Sequence, residues 1–251
     1  MSVHAYNKEK RLNFAGAHIE AKYVENVRDY YIKNATVVVN PHMTDVCVGK
    51  PVRNIIPAFA STILKDIIVE KAESLILLEV KDSTNMGNII LEPGWFLLGD
   101  EMPDPPNNSD STEIYYPKNT PLWKSPQDDA AVVEVDPYYM TRQAETQGKK
   151  ERFLVKLNLW FAPSNTNCFI HNEHDFIEIH TQIFGVGRMQ KFKAQDYATI
   201  YEDQLMSPGY TTFLPFCQVE EKNTYVYPWH QYYSDTDCIW MAIEYHPQDK
   251  A

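Results

Sequence analysis

His171-Asn172-Glu173-His174-Asp175-Phe176-Ile177-Glu178-Ile179-His180-Thr181-Gln182-Ile183-Phe184-Gly185-Val186-Gly187 is the stretch on which the fold turns. Its first ten residues hold three of the chain's eight histidines, two glutamates and an aspartate, and the remainder is an apolar alternating segment that ends on two glycines. Alternation is the mark of a strand, which sends successive side chains to opposite faces. Glu178, His180 and Gln182 therefore share one face. Imidazole nitrogens and carboxylate oxygens gathered this closely suit Fe(II), Mn(II), Ni(II) or Zn(II). Left without a cation, three histidines and two glutamates on a short strand would be costly to bury.

The spacing resembles the first motif of the cupin superfamily, in which a histidine is followed by a second ligand two residues on, then a glutamate, then a glycine seven residues beyond it. Glu178 and Gly185 fit the last interval. Two registers fit the first, His171 with Glu173 or Asn172 with His174, and both are open. The turn at Pro208-Gly209 resembles the start of the family's second motif, whose closing histidine would be His230 after a gap stretched by Gln218 to Thr224. The resemblance spans residues 168 to 247 well and 60 to 137 weakly. It implies an all-β fold of tandem cupin-like (double-stranded β-helix, or jelly-roll) barrels and one divalent transition metal held by His171 or His174 with Glu178 and His230, Glu173 being a fourth candidate in the first register. Fe(II) is favoured, with Mn, Ni or Zn as the other candidates. It implies action on a small organic molecule, first as a non-haem iron dioxygenase-type oxidoreductase. A cupin-type sugar isomerase or epimerase and a non-catalytic ligand binder are the alternatives. His180, Glu173 and Tyr227 are the candidate proton carriers, and Gln182, Arg188 and Trp229 the candidate substrate contacts. A homodimer is a further family expectation.

Outward from this stretch, Phe153 to Phe161 alternates and reads as the strand leading to the site, and Cys238 to Tyr245 as the one that closes the barrel. Short β-branched runs at Thr36 to Val39, Ile63 to Val69, Leu75 to Val80 and Ile89 to Leu91 read as strands of an earlier unit. Ile19, Tyr23, Val27, Tyr30 and Tyr31 fall at helical spacing, so residues 18 to 33 are expected as an N-terminal amphipathic helix. Three segments recur at an offset of about 110 residues, which suggests an internal duplication. Leu91 to Leu98 matches Met206 to Leu214, each through a Pro-Gly turn. Tyr115 to Asn119 matches Val226 to His230, and Ala131 to Pro137 matches Trp240 to Pro247. The expected units are residues 1 to 141, a degenerate barrel with its helix, and 151 to 251, the barrel with the metal site. The polar stretch Arg142 to Lys150 connects them, and Glu101 to Glu113 is a surface loop.

A formal net charge of −11 disfavours nucleic acid and anionic membrane surfaces as partners. No apolar run is long enough to span a bilayer, the first residues lack a signal-peptide core, and a cytoplasmic protein is expected. Cys47, Cys168, Cys217 and Cys238 make no CxxC pair, which removes zinc-ribbon and redox-motif readings. The chain has no serine-hydrolase elbow, phosphate loop, dinucleotide fingerprint or HExxH. His42 and His246, isolated in sequence, read as structural.

Overall fold

The computed structural model describes residues 5–49, 54–104, 114–143, 148–212, 217–221 and 223–248, and strands dominate it. The first sheet is made by β1 (Lys8–Arg11), β2 (Ile19–Ile32), β3 (Thr36–Val39), β4 (Val46–Val48), β5 (Asn54–Ile56), β6 (Ser61–Leu64) and β7 (Ile67–Val80). Its order is β1-β2-β7-β3-β6, with β4 joined to β7 and β5 to β4. Then follow β8 (Phe96–Leu97), β9 (Trp123–Lys124), β10 (Asp128–Val135), β11 (Glu151–Ala162), β12 (Thr166–Asn167), β13 (Ile177–Phe184), β14 (Gly187–Phe192) and β15 (Ile200–Met206). β16 (Gln218–Glu221), β17 (Thr224–Val226), β18 (Trp229–Ser234) and β19 (Cys238–Pro247) complete the chain. The second sheet runs β13-β19-β11-β9-β8, with β10 also on β11, and the third runs β12-β18-β14-β15. Among the described residues no helix is long and apolar enough to cross a membrane.

The amphipathic helix expected over residues 18 to 33 is a strand, β2. Its apolar residues serve two cores on opposite faces: Ile19, Ala21 and Tyr23 enter one, and Val24, Val27 and Ile32 the other. Asn26 and Asp29, with φ of 52° and 45°, interrupt the regular strand conformation. Two-sided burial broken by such residues mimics a helical period. Ile89 to Leu91, expected as a strand, belongs to a 3-10 turn over Met86–Leu91. The run Ile63 to Val69 is cut by a turn at Lys65-Asp66, where Asp66 has φ 52°. From residue 105 the loop expected at Glu101 to Glu113 lies outside the described residues, as do residues 144–147 of the expected connector.

The second sheet is the centre of the molecule, because its two faces are buried for different purposes. Phe153, Val155, Leu157, Leu159 and Phe161 of β11, Ile177, Ile179 and Ile183 of β13, and Ile239, Met241, Ile243 and Tyr245 of β19 pack with Ile19, Tyr23, Val39, Ile76 and Leu78 of the first sheet and with Phe59 of the turn between β5 and β6. These are the odd-numbered positions. The even-numbered ones, among them Trp160, Glu178, His180, Trp240 and Glu244, face a cavity on the other side. Above it Leu122, Ala162, Cys168, Met189, Met206, Tyr232, Cys238 and Trp240 form a core between the second and third sheets.

The two Pro-Gly turns match in detail. Gly94 and Gly209 both have φ 83°, and Trp95 N–H and Tyr210 N–H close the turns on the carbonyls of Glu92 and Ser207. A left-handed residue at the third position is what such a turn demands. The second pair of repeat segments differs, since Tyr116 to Asn119 is loop and turn whereas His230 lies within β18. The insertion noted at Gln218 to Thr224 is the hairpin β16-β17.

Candidate metal centre and its cavity

Two backbone elements bring the histidines together. His171 and His230 face each other across an isolated antiparallel bridge, each amide donating to the other's carbonyl at 3.0 and 2.9 Å. His230 is also held by β14, opposite Lys191. His174 then folds back in the segment that leads into β13, with its Nε2 3.1 Å from His171 Nε2 and 3.2 Å from His230 Nε2. The three side chains offer ligand atoms that lie within 4.8 Å of one another.

The outer ring nitrogens decide what the inner ones can do. His171 Nδ1 lies 3.1 Å from the Phe169 carbonyl and His230 Nδ1 2.9 Å from the Pro228 carbonyl. A carbonyl only accepts, so both Nδ1 atoms carry the proton and both neutral rings turn a lone pair inward. His174 Nε2 can give a hydrogen to one of these neighbours, never to both. Burial holds all three rings below their ordinary pKa, His174 down to about 3, with the neighbouring His171 adding to the effect there. A proton is therefore a poor filler and a metal cation a good one. Around an ion with metal–nitrogen bonds of about 2.1 Å, adjacent ligands sit about 3.0 Å apart in an octahedron and about 3.4 Å apart in a tetrahedron. The two spacings from His174, 3.1 and 3.2 Å, fall in that interval. Anchoring a ligand imidazole through its other nitrogen is what fixes its orientation.

Glu178 lies next to the cluster, its Oε2 3.9 Å from His174 Nε2 and its Oε1 3.7 Å from His180 Nε2. Burial raises its pKa well above the ordinary carboxylate value, repulsion from Glu244 adds to this, and Lys124 opposes it. Glu244 is its direct cross-strand partner on β19. That carboxylate accepts from Asn158 Nδ2 at 2.7 Å and pairs with His246 Nε2 at 2.8 Å. Burial alone would raise its pKa, but these two bonds and the charge of Lys124 hold it below the ordinary value. One carboxyl is thus kept ionised beside another whose environment favours the proton.

The cavity has a volume of about 480 Å³, in the range of small-molecule sites. Its lining joins His171, His174, Glu178 and His180 to Glu244, Lys124, Trp160, Tyr232 and Trp240, with Leu98, Met102, Leu122, Phe169 and Phe176 as its apolar walls. Exposed Glu173 stands at its edge. Both registers of the sequence motif contribute a histidine, because the segment between His171 and Glu178 folds back and does not run as one straight strand. His180 packs against Tyr232 with ring centroids 4.1 Å apart and planes tilted by 45°.

Other sequence candidates lie elsewhere or serve as supports. Tyr227 OH accepts from the Glu178 amide at 2.9 Å and donates to the Phe176 carbonyl at 2.8 Å, which pins the entry to β13. Its place is structural, and burial keeps its pKa well above the usual tyrosine value. Gln182 is wholly buried outside the cavity lining and donates to the Phe184 carbonyl. Arg188 is spent on Asp235 and Asp203 away from the cavity, and Trp229 does not line it. Sequence reasoning missed Lys124, Asn158 and Glu244, and it set His246 aside. Parity along β19 was the available signal, since it puts Glu244 on the face of Trp240.

Chelator-treated protein should lose stability in acid. His174 is neutral when folded down to about pH 3 and takes a proton below about 6.5 when unfolded, so stability present above pH 6.5 is lost as pH falls. Glu178, with its pKa raised, works in the opposite sense. A double comparison isolates the histidine: between pH 7.5 and 5.5, His174→Gln should lose about 1.4 kcal/mol less than the parent chain in urea unfolding. Equal losses in the two proteins would contradict this.

The fold and site together define an all-β protein with three converging imidazoles, two of which, His171 and His174, line a largely apolar cavity while His230 lies buried behind them. No family model matches the chain, and no curated protein matches it. Among solved structures it is similar to oxalate decarboxylase of Bacillus subtilis. A point mutant of that protein is 9% identical, and the alignment covers 98% of this chain and 78% of that one at a TM-score of 0.30. A second structure, from work on the Mn(II) centres of the same enzyme, is 12% identical, with coverage of 94% and 71% and a TM-score of 0.28.

Proposed function

We propose that this chain is a metal-dependent, cupin-type enzyme acting on a small organic molecule, with His171, His174 and His230 as nitrogen ligands and Glu178 as the carboxylate. The convergence of three Nε2 atoms, two of them locked as inward lone pairs by carbonyls behind the rings, carries this assignment. Bound there, a divalent metal supplies Lewis-acid or redox chemistry next to an organic substrate. The residues of the chain do the rest. Apolar walls exclude water, Glu244 is held toward its ionised form at a fixed position, and the half-buried indole of Trp160 stands in the lining.

Within this class we favour an oxidoreductase of the Fe(II) dioxygenase type. A mostly nitrogen ligand set suits iron, and of the three alternative proton carriers for isomerisation, Glu173, His180 and Tyr227, the last has its hydroxyl bonded to two backbone groups. Elemental analysis of protein grown in iron- and manganese-supplemented medium should find close to one divalent ion per chain. Substrate-dependent oxygen uptake, measured over a panel of organic acids and phenols, should vanish after chelation and return with Fe(II). Turnover that continues without oxygen would sink the dioxygenase assignment, and protein with no metal after reconstitution would sink the enzyme class.

A further inference from the structure

Lys124 is a buried-side cation with no acceptor of its own. It reaches the cavity from β9, half-buried, and its ammonium lies 5.0 Å from the centre of the Trp160 ring. No hydrogen bond or ion pair within the described residues engages it. Glu244, in the same lining, has one oxygen taken by Asn158 and the other by His246. Its three ammonium hydrogens meet no acceptor among the described residues, and Glu178 and Glu244 act on its charge only at a distance, so an acceptor that enters the cavity can take them. Leu98, Leu122, Phe169 and Phe176 line the same cavity.

We propose that Lys124, backed by the Trp160 ring, is the subsite for the carboxylate of a substrate whose body is apolar or aromatic. This deepens the assignment above, since it rests on the cavity being the substrate site, and it names the class: a monoanionic organic acid, held by its carboxylate at Lys124 with its ring or chain against the apolar wall. The role expected from sequence for Arg188 passes to Lys124, because the guanidinium is already paired with two aspartates outside the cavity.

Calorimetric titration of the full chain, as purified, tests this with benzoate and 2-naphthoate, each against its uncharged amide. The acids should bind the parent protein at least about 10-fold more tightly than the amides. Lys124→Met should erase that preference while Lys124→Arg keeps most of it, and both variants should retain the metal content of the parent. His230→Ala should lose the metal yet still prefer acid to amide. Acid and amide binding alike, neither binding, or a preference that survives Lys124→Met and disappears in His230→Ala would overturn the subsite. Metal content reports on the histidine centre separately, so failure of one assignment is distinguishable from failure of the other.

Discussion

Replacing His174 with alanine is expected to lower divalent-metal affinity by at least about 100-fold, since even the hydrogen-bonding partners of metal ligands are worth about 10- to 100-fold. His174 is the bridge of the cluster, within 3.1 and 3.2 Å of both other imidazoles, and it closes the arrangement that His171 and His230 set up across their backbone bridge. Its removal leaves two inward lone pairs without the third. Competition with a chromophoric chelator reads the affinity, and oxygen uptake reads the consequence. Arg188→Met, which breaks only pairs outside the cavity, is the matched control and should keep the metal. Undiminished affinity in His174→Ala would mean that the three nitrogens converge for some reason other than metal.

The second large effect is on stability. Tyr245→Ala should cost about 3 to 5 kcal/mol, the usual range for deleting a buried aromatic ring. Tyr245 lies on β19 with no exposed surface, packs edgewise on Phe59 at 6.0 Å and Phe153 at 6.5 Å, and donates from its hydroxyl to the Pro41 carbonyl at 2.9 Å. Phe59 and Pro41 belong to the first 80 residues and Phe153 to the second sheet, so this ring joins the two parts of the chain. Tyr245→Phe keeps the packing and should cost about 1 kcal/mol. Urea unfolding measures both. A loss below about 1 kcal/mol for the alanine variant would show that the two sheets are held together elsewhere.

Much of this arrangement could be read in the chain itself, and what could not has identifiable causes. Alternation in Phe153 to Phe161 and in Cys238 to Tyr245 pointed to β11 and β19, because each is long and its two faces differ in chemistry. The cluster from His171 to Glu178 announced itself by composition, and His230 was reached only through the Pro-Gly turn that precedes it. The error at β2 came from reading two buried faces as one helical stripe. Lys124, Asn158 and Glu244 were invisible for a different reason. Each is an ordinary residue on an ordinary strand, and only the pairing of β11 with β19 and β9 sets Lys124 and Glu244 on one cavity with Asn158 holding Glu244 in place. Arg188 shows the converse, a cation close in sequence to the site whose partners, Asp203 and Asp235, take it elsewhere.

The alternating faces of β13 also restrict how the gene can vary. Ile177 and Ile179 press against the first sheet while Glu178 and His180 face the cavity, so a single-codon insertion or deletion within this strand would trade an oily seam for carboxylate and imidazole at one stroke. Changes in length near the centre should therefore be confined to pairs of residues within the strand, or shifted to the loops at its ends. Libraries meant to diversify this site by length have a fixed step size already written into the sheet.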